Sequence, residues 1–350
     1  MTASDSRAAL RVVSAGLCCS LGYRLEAVEC ALRAQVDAFS ESYFRAPGGH
    51  AVRVARLPDD DVWGAPRNAR WMDLAIRDCL RQAPDLDPRR TALVAVLAEQ
   101  ERPLADQRRF EQALAVAMET ASLKVEGPTA VIAQGKSGLA AALELATRWL
   151  SDATHPIDHV LLCSVDSHLH AANIDALLNA ERLLVPGRPD GFIPGEAAAC
   201  LLLAAGDEPA PGLALHGWGQ GQEDGRPDGS VPSRAFGLSQ ALRMAFQRAG
   251  VTPAALRFRV SDQNGEAFFA REAANALTRV FFGTEGPARL ITVADLLGDV
   301  GAATGPAMLA YLWQAAAVGH APAGAGFVHL ADAHGGRVAV VIQGASVQAS

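Results

Sequence analysis

Short apolar runs bounded by Gly, Pro or charge alternate with amphipathic helical stretches twice over in this chain, and that alternation limits the fold more than any single residue does. Strands are expected over residues 10–17, 91–97, 129–133, 159–163 and 197–204, and helices over 24–34, 68–82, 106–121, 138–149 and 172–184. After the Gly/Pro/Asp-rich stretch 206–212 the pattern restarts, with strands over 213–219, 255–260, 290–292, 327–331 and 338–342 and helices over 234–248, 267–282 and 303–318. Strands crossed by helices build an α/β sheet with parallel pairs. At 350 residues the chain divides naturally into two similar βαβ-type halves, 1–205 and 212–350. The stretch 223–233, rich in Gly, Pro and Asp, reads as an exposed loop.

Half of the residues are apolar and a fifth are charged, the composition of a folded chain rather than a disordered one. A net charge of −7, with Arg and Asp dispersed and no basic cluster among aromatics, argues against nucleic acid as a partner. The apolar runs are broken well short of the roughly 20 residues a membrane span needs. Residues 1–10 lack a secretory core, so a cytoplasmic protein without membrane contact is expected. The six cysteines show no CxxC spacing and are expected to be buried, reduced thiols. His168 and His170 lie two apart without a third ligand of matching pattern, so neither a metal nor a cofactor is expected.

Three separated stretches resemble the β-ketoacyl synthase branch of the thiolase superfamily. The first is Val12-Val13-Ser14-Ala15-Gly16-Leu17 followed by Ser20-Leu21-Gly22 and a helix, similar to that family's opening strand and turn. The second runs from Val160 into Val165-Asp166-Ser167. The third is Asp190-Gly191-Phe192-Ile193-Pro194-Gly195-Glu196-Ala197-Ala198, which resembles the family's DGFxPGEGA motif with one Gly changed to Ala. Its glycines and proline supply backbone shape, not chemistry. The resemblance spans nearly the whole chain and implies a thiolase-like α/β fold, layered α-β-α-β-α.

The family's catalytic positions, carried over residue by residue, hold different chemistry here. A condensing enzyme places a Cys at a strand-to-helix turn, where the helix start lowers the thiol pKa. The matching stretch is Ala133-Gln134-Gly135-Lys136-Ser137-Gly138-Leu139, and aligning its Ser-Gly step puts Gly135 at the nucleophile position. A shift of one residue puts Gln134 there instead, as in chain-length-factor subunits. Ser137 is the only hydroxyl in the turn and is expected to cap the helix through its oxygen. Where the family has its first histidine, Asp262 and Asn264 stand closest; at the second stands Asp299, and Ala294-Asp295 replaces the preceding lysine. None of these substitutes an imidazole near neutral pH.

Losing a nucleophile costs about a million-fold in rate where a covalent intermediate is required. The expected function is therefore that of a pseudoenzyme: a binding or accessory protein, with a chain-length-factor-like partnership beside an active subunit as one form. The alternative is an acyltransferase acting on thioesters through Ser137, Asp262, Asn264, Glu266 and Asp299. Gln134, Phe192, Phe268 and Phe269 are the candidates to line an acyl pocket. Partners implied are an acyl carrier protein or acyl thioester, and a second subunit, either a copy of this chain or a ketosynthase homologue. The apolar, uncharged strand 129–133 is the edge through which the family dimerises.

Overall fold

The computed structural model describes residues 9–345, apart from 60, 84, 104–106 and 207–211. The expected break at 206–212 and the first residue of the expected helix 106–121 therefore lie largely outside the described residues. The first half runs β1 (Leu10–Cys19), α1 (Leu25–Arg33), β2 (Phe39–Arg45), β3 (Ala51–Ala55), α2 (Ala65–Arg81), β4 (Thr91–Leu97), α3 (Gln107–Thr120), β5 (Thr129–Ala133), α4 (Gly138–Leu150), β6 (His159–Ser167), α5 (Ala171–Asn179) and β7 (Glu196–Ala205). The second runs β8 (Gly212–Gln222), α6 (Phe236–Ala249), β9 (Phe258–Ser261), α7 (Ala267–Val280), β10 (Arg289–Thr292), α8 (Ala294–Leu297), α9 (Thr304–Ala317), β11 (Ala325–Ala331) and β12 (Gly336–Ala345).

Ten strands form one mixed sheet in the order β10-β9-β11-β12-β8-β1-β7-β6-β4-β5. Read outward from the centre, each half has the same arrangement: its first strand pairs antiparallel with its last, then the fourth, second and third follow, with the outer pairs parallel. The two arrangements join where Leu10, Arg11 and Val12 of β1 pair antiparallel with Leu215, Ala214 and Leu213 of β8. This leaves β5 and β10 as the two edges.

Strands of the first half alternate their apolar residues between two faces. Ala92, Val94 and Val96 of β4 join a central cluster with α4, α9 and strands of both halves. Leu93, Ala95 and Leu97 face α2 and α3 on the other side. In the second half, Phe327 of β11 and Val341 of β12 meet α6 and α7 on the outer face. The layers are helix, sheet, helix, sheet, helix. Because these strands are covered on both sides, they read as continuous apolar runs.

The expected helix 172–184 ends at Asn179, because Glu181 takes a left-handed φ of 59° and Leu183 bridges to Phe192. Expectation also missed the hairpin β2–β3, whose strands are half exposed and punctuated by Ser, Glu and Arg. With α5, Leu183 and Phe192 it forms a small cap of its own. Of the cysteines, Cys30 is exposed rather than buried. Among the described residues, no helix is long and apolar enough to cross a membrane.

Candidate functional site

Two glycine-led turns of similar build, each entering a helix, meet at the centre of the molecule. After β5 the chain makes a single 3-10 turn, Gly135–Ser137, into α4; after α8 it makes another, Gly301–Ala303, into α9. Gly135 has φ 58° and Gly301 φ 55°, a left-handed backbone that favours glycine. The loop after β9, which carries Asp262 and Asn264, completes the site.

Lys136 ties these segments together. Its ammonium is buried and donates to Asp299 Oδ2 at 2.8 Å and to Asp262 Oδ2 at 3.2 Å. Burial would favour the neutral amine, but the two carboxylates outweigh it and hold Lys136 above its usual range. Asp299 also accepts from Asn264 Nδ2 at 2.8 Å and from the Gly301 amide at 2.9 Å. Burial would raise its carboxyl, yet Lys136 and the adjacent His168 hold it well below the carboxylate range. Asp262 is raised, with burial the leading cause, although Lys136 and the Ala331 amide pull the other way. Asn264 continues the chain to Glu266, which Arg182 grips through two bonds of 2.8 and 2.7 Å.

A second buried group backs both turns. Arg102 donates to Glu99 at 2.7 and 2.9 Å and to Asp166 at 2.6 Å, and Asp166 accepts the Ala302 amide at 2.7 Å. A Cβ added at Gly135 would stand 2.6 Å from Glu99 Oε2. The space beside Gly135 is thus occupied by a carboxylate. Burial alone would raise Glu99, but Arg102 holds it down to about 2.

The Asp190–Ala198 motif provides the frame. Asp190 accepts the Ala267 amide at 2.7 Å, at the start of α7. Ile193 and Gly195 exchange backbone hydrogen bonds with Asp299, so the motif positions that residue directly. Glu196 is buried and accepts from Arg67, Ser167 and the Leu57 amide.

The sequence-derived positions Gly135, Asp262, Asn264 and Asp299 come together here, and Glu266 joins them. Ser137 differs from expectation: its hydroxyl donates back to the Gln134 carbonyl at 2.8 Å and makes no cap bond to an amide. Gln134 is exposed. His168 and His170 diverge, the first buried with Nε2 3.4 Å from Asp299 Oδ1, the second exposed. Sequence reasoning passed over Lys136, Glu99 and Arg102, and weighed His168 only as a metal ligand. The chain has only two lysines among 31 basic residues, so a lysine in a glycine-flanked turn was the available signal.

A cavity of about 340 Å³ lies beside this network, between the β2–β3 hairpin, the start of α2 and the ends of β4 and β6. Tyr43, Phe44, Trp63 and Phe110 line it, and Arg102 and Asp166 form its floor toward the turns. None of Gln134, Phe192, Phe268 and Phe269 does. Phe192 is buried between His168 and Arg182, and Phe269 packs on Phe268 and Arg337. Those aromatics fill the core of the cap and of α7.

No protein-family model and no curated protein matches the chain. Solved structures do. A ketosynthase domain for oxazolomycin from Streptomyces albus matches with a TM-score of 0.75 at 16% identity, over 98% of this chain and 75% of that one. A ketosynthase in complex with its chain length factor from Xenorhabdus doucetiae matches with 0.74 at 15% identity, over 99% and 100%. A type II PKS acyl-carrier protein in complex with its ketosynthase, bound to the hexaketide, gives 0.78 at 13% identity, over 98% and 100%. The chain has the thiolase-like fold of the ketosynthases.

Proposed function

We propose that this protein is a non-catalytic ketosynthase-like accessory protein, which pairs through β5 with a copy of itself or with a ketosynthase homologue and holds an acyl group or a carrier protein. The observation that carries this reading is Lys136, locked as an ammonium between Asp262 and Asp299 where a condensing enzyme needs a free nucleophile and imidazoles. A lysine acts as nucleophile or base only when its pKa is lowered, and here it is raised. Structures of ketosynthases with a chain length factor and with a carrier protein, among those similar in fold, support a partnered role. The 340 Å³ cavity, apolar in most of its wall, is within the size range of small-ligand sites and suits an acyl chain. We take 1–205 and 212–350 as the two thiolase-like halves, and the protein as cytoplasmic.

The acyltransferase reading has one observation in its favour, the raised carboxyl of Asp262. Intact mass after incubation with acyl- and malonyl-thioesters separates the two. We expect no covalent adduct and no product, and an adduct on Ser137 would overturn the accessory reading. Gly135→Cys is also expected to give no condensation product, because a thiolate beside the Glu99 carboxylate is disfavoured and no imidazole is at hand. For the partnership, light scattering should show a dimer, alone or with a co-expressed ketosynthase homologue. Val131→Arg on the half-exposed edge strand should weaken it more than Val231→Arg in the 223–233 loop. Equal effects would reject β5 as the interface.

A further inference from the structure

On the second half of the sheet, away from the turns, lies a cation with no carboxylate partner among the described residues. Arg259 is on β9 between Phe258 and Val260, both of which face the central layer, so its own side chain projects to the outer face beneath α7. Its neighbours across the sheet there are Phe327 on β11 and Leu290 on β10, both apolar. Arg259 Nη1 is buried without a hydrogen-bond partner, and no carboxylate among the described residues pairs with the guanidinium. Burial lowers its pKa with no opposing cause. His329 on the adjacent β11 is also buried with Nε2 unpartnered, and burial together with Arg259 holds it neutral, at about 3.

Arg259 lines an open cleft of about 470 Å³. The other walls are Leu277 and Thr278 in the last turn of α7, Phe281 just beyond it, and Phe282, Thr284 and Pro287 in the turn that follows; Phe282 is 88% exposed. The carbonyls ending α7 contribute about half a unit of negative charge, which leaves the guanidinium in excess.

We propose that this cleft binds a small carboxylic acid, its carboxylate bidentate on Arg259 and its apolar body against Phe281, Phe282 and Pro287. A guanidinium fork matches a carboxylate in geometry as well as charge. Arg259 is the one charged residue among the described residues lining the cleft, which suits a monoanion better than a phosphate dianion. Apolar side chains beside a placed charge are a common build of a small-ligand site, and the hydroxyls of Thr278 and Thr284 add polar wall here. The cleft shares no wall residue with the 340 Å³ cavity, and the proposal stands whatever that cavity holds.

Calorimetric titration and thermal shift with phenylacetate and hexanoate, against phenylacetamide, hexanamide and inorganic phosphate, test it. At least one acid should bind in the millimolar range or tighter and raise the melting temperature, while its amide and phosphate do not. Arg259→Met should weaken acid binding by at least about tenfold, as loss of a charge-assisted fork does, and without ligand should be no less stable than the parent. Phe282→Asp, at an exposed position, should weaken the acid by repulsion without disturbing the fold. Acid and amide binding alike, preferred phosphate, unchanged affinity in both variants, or no binding at tens of millimolar would each overturn the proposal.

Discussion

The turns at Gly135 and Gly301 occupy corresponding places in the two halves, each leading from a sheet's outer strands into a buried helix, yet they are not equally constrained. A Cβ at Gly301 would stand 2.0 Å from Asp166 Oδ2, a carboxylate clamped by Arg102 and the Ala302 amide. At Gly135 the obstacle is the end of Glu99, which is held by Arg102, approached by His334 at 3.9 Å, and partly exposed. The same backbone device is thus rigidly backed in one half and loosely backed in the other. What the pair teaches is that both turns are kept in shape by buried charge, and that Lys136 couples them.

The strongest way to break the comparison is to remove that coupling. Lys136→Met strands two buried carboxylates and should cost about 3–5 kcal/mol at neutral pH, measured by denaturant unfolding. A cost near zero would mean that the turns hold together without it. Next comes the contrast between the glycines. Gly301→Ala meets both a forbidden φ and a fixed carboxylate, for about 2–4 kcal/mol, whereas Gly135→Ala meets the φ and a movable side chain, for about 1–2 kcal/mol. The reverse order would show that Glu99, not Asp166, is the rigid member. The smallest effect is in acid. Glu99 falls from its ordinary 4.5 to about 2 in the folded chain, so its contribution is present above about pH 4.5 and is lost as pH falls toward 2. Glu99→Gln should therefore flatten the acid limb of the stability curve between those values, and an unchanged limb would count against the Arg102 pairing.

The inner strands such as β4, β6 and β7 were legible because burial on both faces leaves little but Val, Leu and Ala in them, and the others because short apolar runs stand between Gly, Pro or charge. The β2–β3 hairpin was not, since a half-exposed strand such as Phe39–Arg45 mixes Ser, Glu and Arg among its aromatics and looks like a loop. Asp262, Asn264 and Asp299 could be picked out because the family resemblance marks the positions where its histidines stand. Their arrangement could not: nothing local ties Lys136 to carboxylates 126 and 163 positions further on. The cavity escaped for the same reason, as it depends on the unforeseen hairpin. Phe192, Phe268 and Phe269 were chosen for hydrophobicity, a property shared by core and pocket walls alike.

The position of α9 bears on how the protein is made. That helix is buried on nearly all sides and closes the central layer against α4, β1 and β7, yet it is specified by residues 304–317, late in translation. Until those codons have been read, the inner face of the first half is covered by α1 and α4 but not by α9, and the contacts that complete it span a long stretch of chain. The nascent first half therefore emerges from the ribosome as a substrate for chaperones rather than as a finished domain. A message cut short before codon 304 is expected to yield a fragment with part of its central layer uncovered, prone to aggregate rather than to work as a smaller protein.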